Sequence, residues 1–136
     1  IVSKVNMDFI IKDGITTVTT ELFVEGNPNV SNQEDKDMVL DGDEEAVKLL
    51  SLQINGVDAT KDKDYEVSRG KLTLKSGALS PTSVTKVTTT VEIVPEENTQ
   101  LAGLYKSGPM YCTQCEATGF RRITYYPDRP DNMAVF

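Results

Sequence analysis

Val5-Asn-Met7-Asp-Phe9-Ile-Ile11-Lys-Asp13-Gly14-Ile15-Thr-Thr-Val18-Thr-Thr-Glu-Leu22-Phe-Val24 is the stretch that decides the fold. Two runs that alternate apolar and polar residues flank an Asp-Gly pair, and both turn residues tolerate positive φ, so the stretch predicts a tight hairpin. A two-residue loop sets Ile11 opposite Thr16, Phe9 opposite Val18, Met7 opposite Thr20 and Val5 opposite Leu22, all on one face. Asn6, Asp8, Lys12, Thr17, Thr19 and Glu21 fall on the other. One register thus separates a largely apolar face from a polar one, as expected of a half-buried antiparallel pair.

The rest of the chain repeats this grammar. Gly26-Asn-Pro28 ends the second strand, and a polar loop runs from Asn29 to Asp37. The triplet Asn29-Val30-Ser31 fits N-glycosylation, which matters only in a secreted protein. Met38-Val-Leu40 is a short strand closed by Asp41-Gly42, and Asp43 could start a helical turn. Asp41, Asp43 and Glu45 have calcium-loop spacing, but the loop's sixth and twelfth positions hold Ala46 and Leu52 instead of Gly and Glu, so an acidic solvated turn is expected. Val47 to Ile54 leads to another hairpin signal, Asn55-Gly56; Tyr65–Val67 and Leu72–Leu74 flank a reversal at Arg69-Gly70; and Ser76 to Ser83 is a turn cluster. Val84 to Val94 is the longest β run, with Val87, Thr89, Val91 and Ile93 on one face, and Pro95 ends it. Pro95 to Gly108 reads as a loop with scattered apolar anchors. Short strands between turn residues, with no convincing long helix, predict an all-β chain: an antiparallel β-sandwich or open saddle-like sheet, with residues 1–136 as one domain. A sheet left without its last strands would expose an unpaired edge.

Composition narrows the function. Apolar residues at 38% and charged ones at 26% are ordinary for a soluble domain, and no apolar run approaches the ~20 residues of a membrane span. A formal charge of −7 disfavours nucleic acid and anionic membranes and suits cationic partners. The chain has no histidine, so it can form neither the usual Ser-His or Cys-His dyads nor a histidine-containing zinc site. It opens on Ile1 in strand-like sequence and closes on Phe136 without a capping residue, which points to a piece of something larger.

Chemistry, if present, belongs to residues 111–131, YCTQCEATGFRRITYYPDRPD, which hold both cysteines and three of the five tyrosines. Cys112-Thr-Gln-Cys115 is a C-x-x-C pair, yet no further thiolate or imidazole completes a zinc knuckle, and no helix is expected after it to activate a thiol. Two buried, inert thiols in a reducing compartment are the simplest account. Gln114 and Glu116 lie two apart, so in an extended segment they share a face. A carboxylate there could bind an ammonium group; the plainer reading pairs Glu116 with Arg121 or Arg122 on a solvated strand. Tyr125 to Asp131 reads as a corner in which Asp128 and Asp131 bracket Arg129 or cap neighbouring amides.

This stretch closely resembles the CTQCEAEGFR…YYxDRPD signature of the zinc aminopeptidases of the aminopeptidase N family, in its bacterial aminopeptidase N-like branch. A second match, Asn98-Thr-Gln-Leu101-Ala-Gly103-Leu104-Tyr105-Lys-Ser-Gly108 against NTxLxGLYxSG, precedes it in the expected order. Thr118 stands where the family usually has an acidic residue, and Pro127 where it often has another. The resemblance implies part of an N-terminal β domain of a larger hydrolase that removes residues from peptide N-termini. In that reading Glu116 binds the substrate's free α-ammonium group, Gln114 lines the pocket for its first side chain, and residues 111–131 form the substrate-site stretch. No catalytic residue and no metal ligand is assigned to this chain; the zinc is bound outside it, by the catalytic domain, in a cytoplasmic or organellar protein. Two rival classes remain open at this point: a free-standing β-sandwich interaction module, and a dithiol redox protein cycling Cys112 and Cys115.

Overall fold

The computed structural model describes residues 1–29 and 36–136. The first hairpin forms in the expected register. Strand β1 (Val2–Ile11) pairs with β2 (Thr16–Val24), with Phe9 opposite Val18 and Val5 opposite Leu22, and Gly14 sits at φ 83° in the turn. Strands β3 (Met38–Asp41), β4 (Lys48–Ile54), β5 (Val57–Asp58), β6 (Tyr65–Ser68), β7 (Lys71–Leu74) and β8 (Thr85–Ile93) follow the remaining β runs. The Asn55-Gly56 and Arg69-Gly70 pairs both take positive φ at both residues, the conformation that matches the twist of a two-residue hairpin.

Two sheets result. One has the order β1-β2-β8-β4-β5 and the other β3-β7-β6, all neighbours antiparallel. β8 lies at the centre of the larger sheet, and its Val87, Thr89, Val91 and Ile93 are buried. They join Val18 and Leu22 of β2, Leu40 of β3, and Leu72 and Leu74 of β7 in one continuous core. A fully buried leucine of this kind contributes about 1.5–3 kcal/mol over an exposed one.

Two expectations need correction. The distal half of β1 is less buried than its alternation suggests, with Phe9 41% and Ile11 45% exposed. β1 is the edge of its sheet, so its tip has a neighbour on one side only. Further back, that edge is covered by the chain's last residues: Val135 pairs in parallel with Lys4, its carbonyl accepting a 2.7 Å bond from the Val5 amide. The segment after Pro95 is not a loop throughout. Gly103–Ser107 is strand β9, hydrogen-bonded to β10 (Met110–Gln114) as a separate two-stranded ribbon. The Asn29-Val30-Ser31 triplet lies partly outside the described residues.

Candidate functional site

The ribbon is built to put its end in a fixed place. Gln114, the last residue of β10, pairs with Gly103, which has φ 76°. The Asn98 side-chain amide donates to the carbonyls of Ala102 (2.7 Å) and Leu104 (2.9 Å), clasping Gly103 from both sides. At the other end of β10, the Tyr111 hydroxyl donates a 2.6 Å bond to Glu96, whose carboxylate also lies 3.4 Å from the Lys106 ammonium.

Beyond Gln114 the chain turns sharply. The Gly119 amide donates to the Cys115 carbonyl at 2.9 Å, enclosing Glu116, Ala117 and Thr118, and the Glu116–Ala117 peptide is cis. The Arg122 amide then bonds the Gly119 carbonyl (3.1 Å) as the chain enters a single 3-10 turn, Phe120–Arg122. This crossing is close enough to require glycine. A Cβ on Gly119 would stand 2.5 Å from the Gln114 carbonyl oxygen, and one on Gly103 would stand 2.7 Å from Arg122 Cβ.

Gln114 and Glu116 are both exposed, and the Gln114 side-chain oxygen accepts the Glu116 amide at 3.5 Å. The strand ends at Gln114, so the two-residue period of an extended chain does not reach Glu116; the turn places it. The principal cavities of the described surface are bordered by other residues.

The two arginines that could have neutralised Glu116 are engaged elsewhere. The Arg121 Nε and amide both donate to Asp128 Oδ2, at 3.0 and 3.1 Å, and its Nη2 donates to the Asp128 carbonyl. Asp128 thus caps the Arg121 amide, as one of the two sequence readings has it, and among the described residues Arg129 pairs with Asp131 alone, so the bracket around Arg129 does not form. Arg122 Nη1 pairs with Asp43, 79 residues away in sequence. Among the described residues Glu116 has no ion-pair partner. Asp43 Oδ1 in turn accepts the amides of Glu45 (3.0 Å) and Ala46 (3.1 Å), so the acidic turn spends that carboxylate on its own backbone.

Cys112 and Cys115 are both free thiols of intermediate burial, on a two-stranded ribbon and its turn instead of in the core, so they are less buried than the sequence suggests. Burial pushes the Cys115 thiol above the usual range, and the nearby Asp128 carboxylate pushes it further the same way. An activated thiolate requires the opposite shift. The chain has no histidine, and the described residues hold no cluster of three or more metal-ligating side chains, so the described side chains do not fit a zinc site. The residues that hold the ribbon end, Asn98, Gly103, Gly119, Arg122 and Asp43, were missed by sequence reasoning. Gly103 and Gly119 do lie inside the matched motifs, and their spacing around Gln114 was the available signal.

Residues 4–136 match the model of the peptidase M1 N-terminal domain. The chain belongs to this family. As an M1 N-terminal domain it is 43% identical, over 89% of its length, to aminopeptidase N of Caulobacter vibrioides, and 47% identical, over 68% of its length, to aminopeptidase N of Escherichia coli. It spans 13% and 10% of those proteins, respectively. The fold is similar to that of an M1 zinc metallopeptidase from Deinococcus radiodurans, with a TM-score of 0.72 at 17% identity over 98% of this chain and 30% of that one. No helix among the described residues is long and apolar enough to cross a membrane.

Proposed function

We propose that residues 1–136 are a β domain, or most of one, from a larger cytoplasmic or organellar zinc aminopeptidase, with residues 111–131 as its substrate-site stretch. Its partners are the catalytic domain of the same polypeptide and peptides with a free N-terminus. Glu116 binds the substrate's α-ammonium group, and Gln114 borders the pocket for the first side chain.

The observation that carries this reading is the state of Glu116: an exposed carboxylate, fixed on a closed turn beside Gln114, while both neighbouring arginines are held by Asp128 and Asp43. A free carboxylate that becomes dehydrated when the rest of the enzyme covers it makes a charge-assisted hydrogen bond to an ammonium group and discriminates against a blocked terminus. Zinc, held by polypeptide outside this chain, would supply an activated water and polarise the scissile carbonyl. This chain's part is to hold the substrate's amino end in register.

The test is Glu116→Ala in the full-length protein, assayed on an unblocked aminoacyl substrate. A lost hydrogen bond to a charged group is worth about 1.5–3 kcal/mol, so kcat/KM is expected to fall about 10- to 100-fold. Unchanged kcat/KM would remove Glu116 from the mechanism.

A further inference from the structure

Arg122 packs against both sides of the segment that carries Glu116. Its Cβ lies against Gly103, the pairing partner of Gln114. Its amide holds the Gly119 carbonyl, and the Gly119 amide closes the turn on Cys115. A displacement of Arg122 is therefore passed to both ends of the Gln114–Gly119 segment.

Among the described residues, the Arg122 guanidinium has one partner. Its side chain is 13% exposed, and Nη1 is paired with Asp43, itself fixed by the two amides it caps. The neighbouring Nε is buried and has no partner. Arg122 lines a cavity of about 160 Å³ together with Glu45, Glu97, Asn98 and Leu104. With that donor unpartnered, the Asp43 carboxylate sets the direction of the guanidinium. The other arginine of the turn does not substitute, because among the described residues the Arg121 side chain bonds Asp128, seven residues away in the same stretch.

We propose that Arg122 and Asp43 act together as a positioning pair, fixing the Gln114–Glu116 edge against the two-sheet body so that Glu116 meets the substrate's amino end. This rests on the function proposed above for Glu116. Neither residue contacts substrate. Their effect passes through the Gly103–Gly119 crossing.

The experiment is a mutant cycle in the full-length protein, read as kcat and KM on an unblocked aminoacyl anilide, with Glu116→Ala, Arg122→Ala, Arg122→Lys, Asp43→Asn and the Arg122→Ala/Glu116→Ala double variant. Positioning predicts a rise in KM of about five- to tenfold for Arg122→Ala and Asp43→Asn with kcat changed less than KM, and recovery of most of the loss in Arg122→Lys, which keeps a cation facing Asp43. It also predicts that Arg122→Ala adds less than about twofold once Glu116 is alanine, because the group it positions is gone. Losses that multiply in the double variant, or an Arg122→Ala enzyme within about twofold of wild type, would overturn the pair's role while leaving Glu116 in place. A Glu116→Ala enzyme of full activity would overturn the anchoring function and the positioning role with it. If Arg122→Ala fails to fold, Asp43→Asn combined with Glu116→Ala gives the same test.

Discussion

The hydroxyl of Thr20 donates a 2.9 Å hydrogen bond to that of Thr124, 104 residues later, with both residues wholly buried. Thr20 belongs to β2, and Thr124 follows the turn that carries the candidate site. The bond therefore fastens the last part of the chain to the larger sheet from inside the core.

Because each hydroxyl satisfies the other, replacing one strands its partner. Thr20→Val or Thr124→Val is expected to destabilise the chain by about 1–3 kcal/mol, while the Val/Val double variant loses less than the sum of the two. Denaturant unfolding of the four proteins measures the coupling.

Two other core threonines predict the reverse. The Thr16 and Thr89 hydroxyls are buried with no hydrogen-bond partner among the described residues. Valine has nearly the same shape and no polar atom to dehydrate, so Thr89→Val is expected to raise stability by about 1 kcal/mol. A lowered unfolding midpoint would contradict this.

The glycine crossing gives a matched pair. Gly119→Ala forces a methyl to within 2.5 Å of the Gln114 carbonyl oxygen, whereas a Cβ on Gly77, in the turn before β8, meets nothing within 4 Å. Overpacking at Gly119 is expected to reduce stability by about 1–3 kcal/mol, and Gly77→Ala is expected to be tolerated. Equal unfolding midpoints for the two variants would show that the crossing relaxes freely.

The base of the ribbon responds to pH through Tyr111 and Glu96. The tyrosine hydroxyl's hydrogen bond holds the Glu96 carboxyl below the usual carboxylate range, and the same bond, with partial burial, raises the Tyr111 phenol above its ordinary value. The Glu96 contribution is present above the normal carboxylate pKa and lost as pH falls through the lowered value. The Tyr111 contribution is present below about pH 10 and lost as pH rises through the raised one. Absorbance titration of the phenol should therefore move Tyr111 back toward its ordinary value in Glu96→Gln. An unchanged titration would show that the bond is not maintained in solution.

Cys115 offers a check that needs no enzyme assay. Its raised pKa keeps the thiol protonated at neutral pH, so alkylation by iodoacetamide should be slow at pH 7 and accelerate only well into the alkaline range. Rapid labelling at neutral pH would revive a thiolate role for the C-x-x-C pair.

The hairpins could be read in the sequence because each is a local event. Asp13-Gly14, Asn55-Gly56 and Arg69-Gly70 carry their own turn chemistry, and alternation on either side fixes the register. The β9–β10 ribbon could not, since Gly103, Lys106 and Ser107 are weak strand formers and its order comes from Asn98 and Glu96 outside it. For the site, the residue types of Gln114 and Glu116 were visible, and their support was not. Asp43 and Arg122 are 79 positions apart, and nothing local in either segment announces the other. The arginine choice of Asp128 was equally hidden: Arg129 adjoins it in sequence, but the 3-10 turn delivers Arg121 to it in space.

At the glycine crossing, the close approach of Gly119 sets where the Gln114 carbonyl rests, while the exposed side chain of that residue makes only a 3.5 Å contact with the Glu116 amide. Location and chemistry are thus inherited separately at position 114. The wall can be repainted, with a longer, shorter or charged group in place of the amide, without rebuilding the masonry behind it.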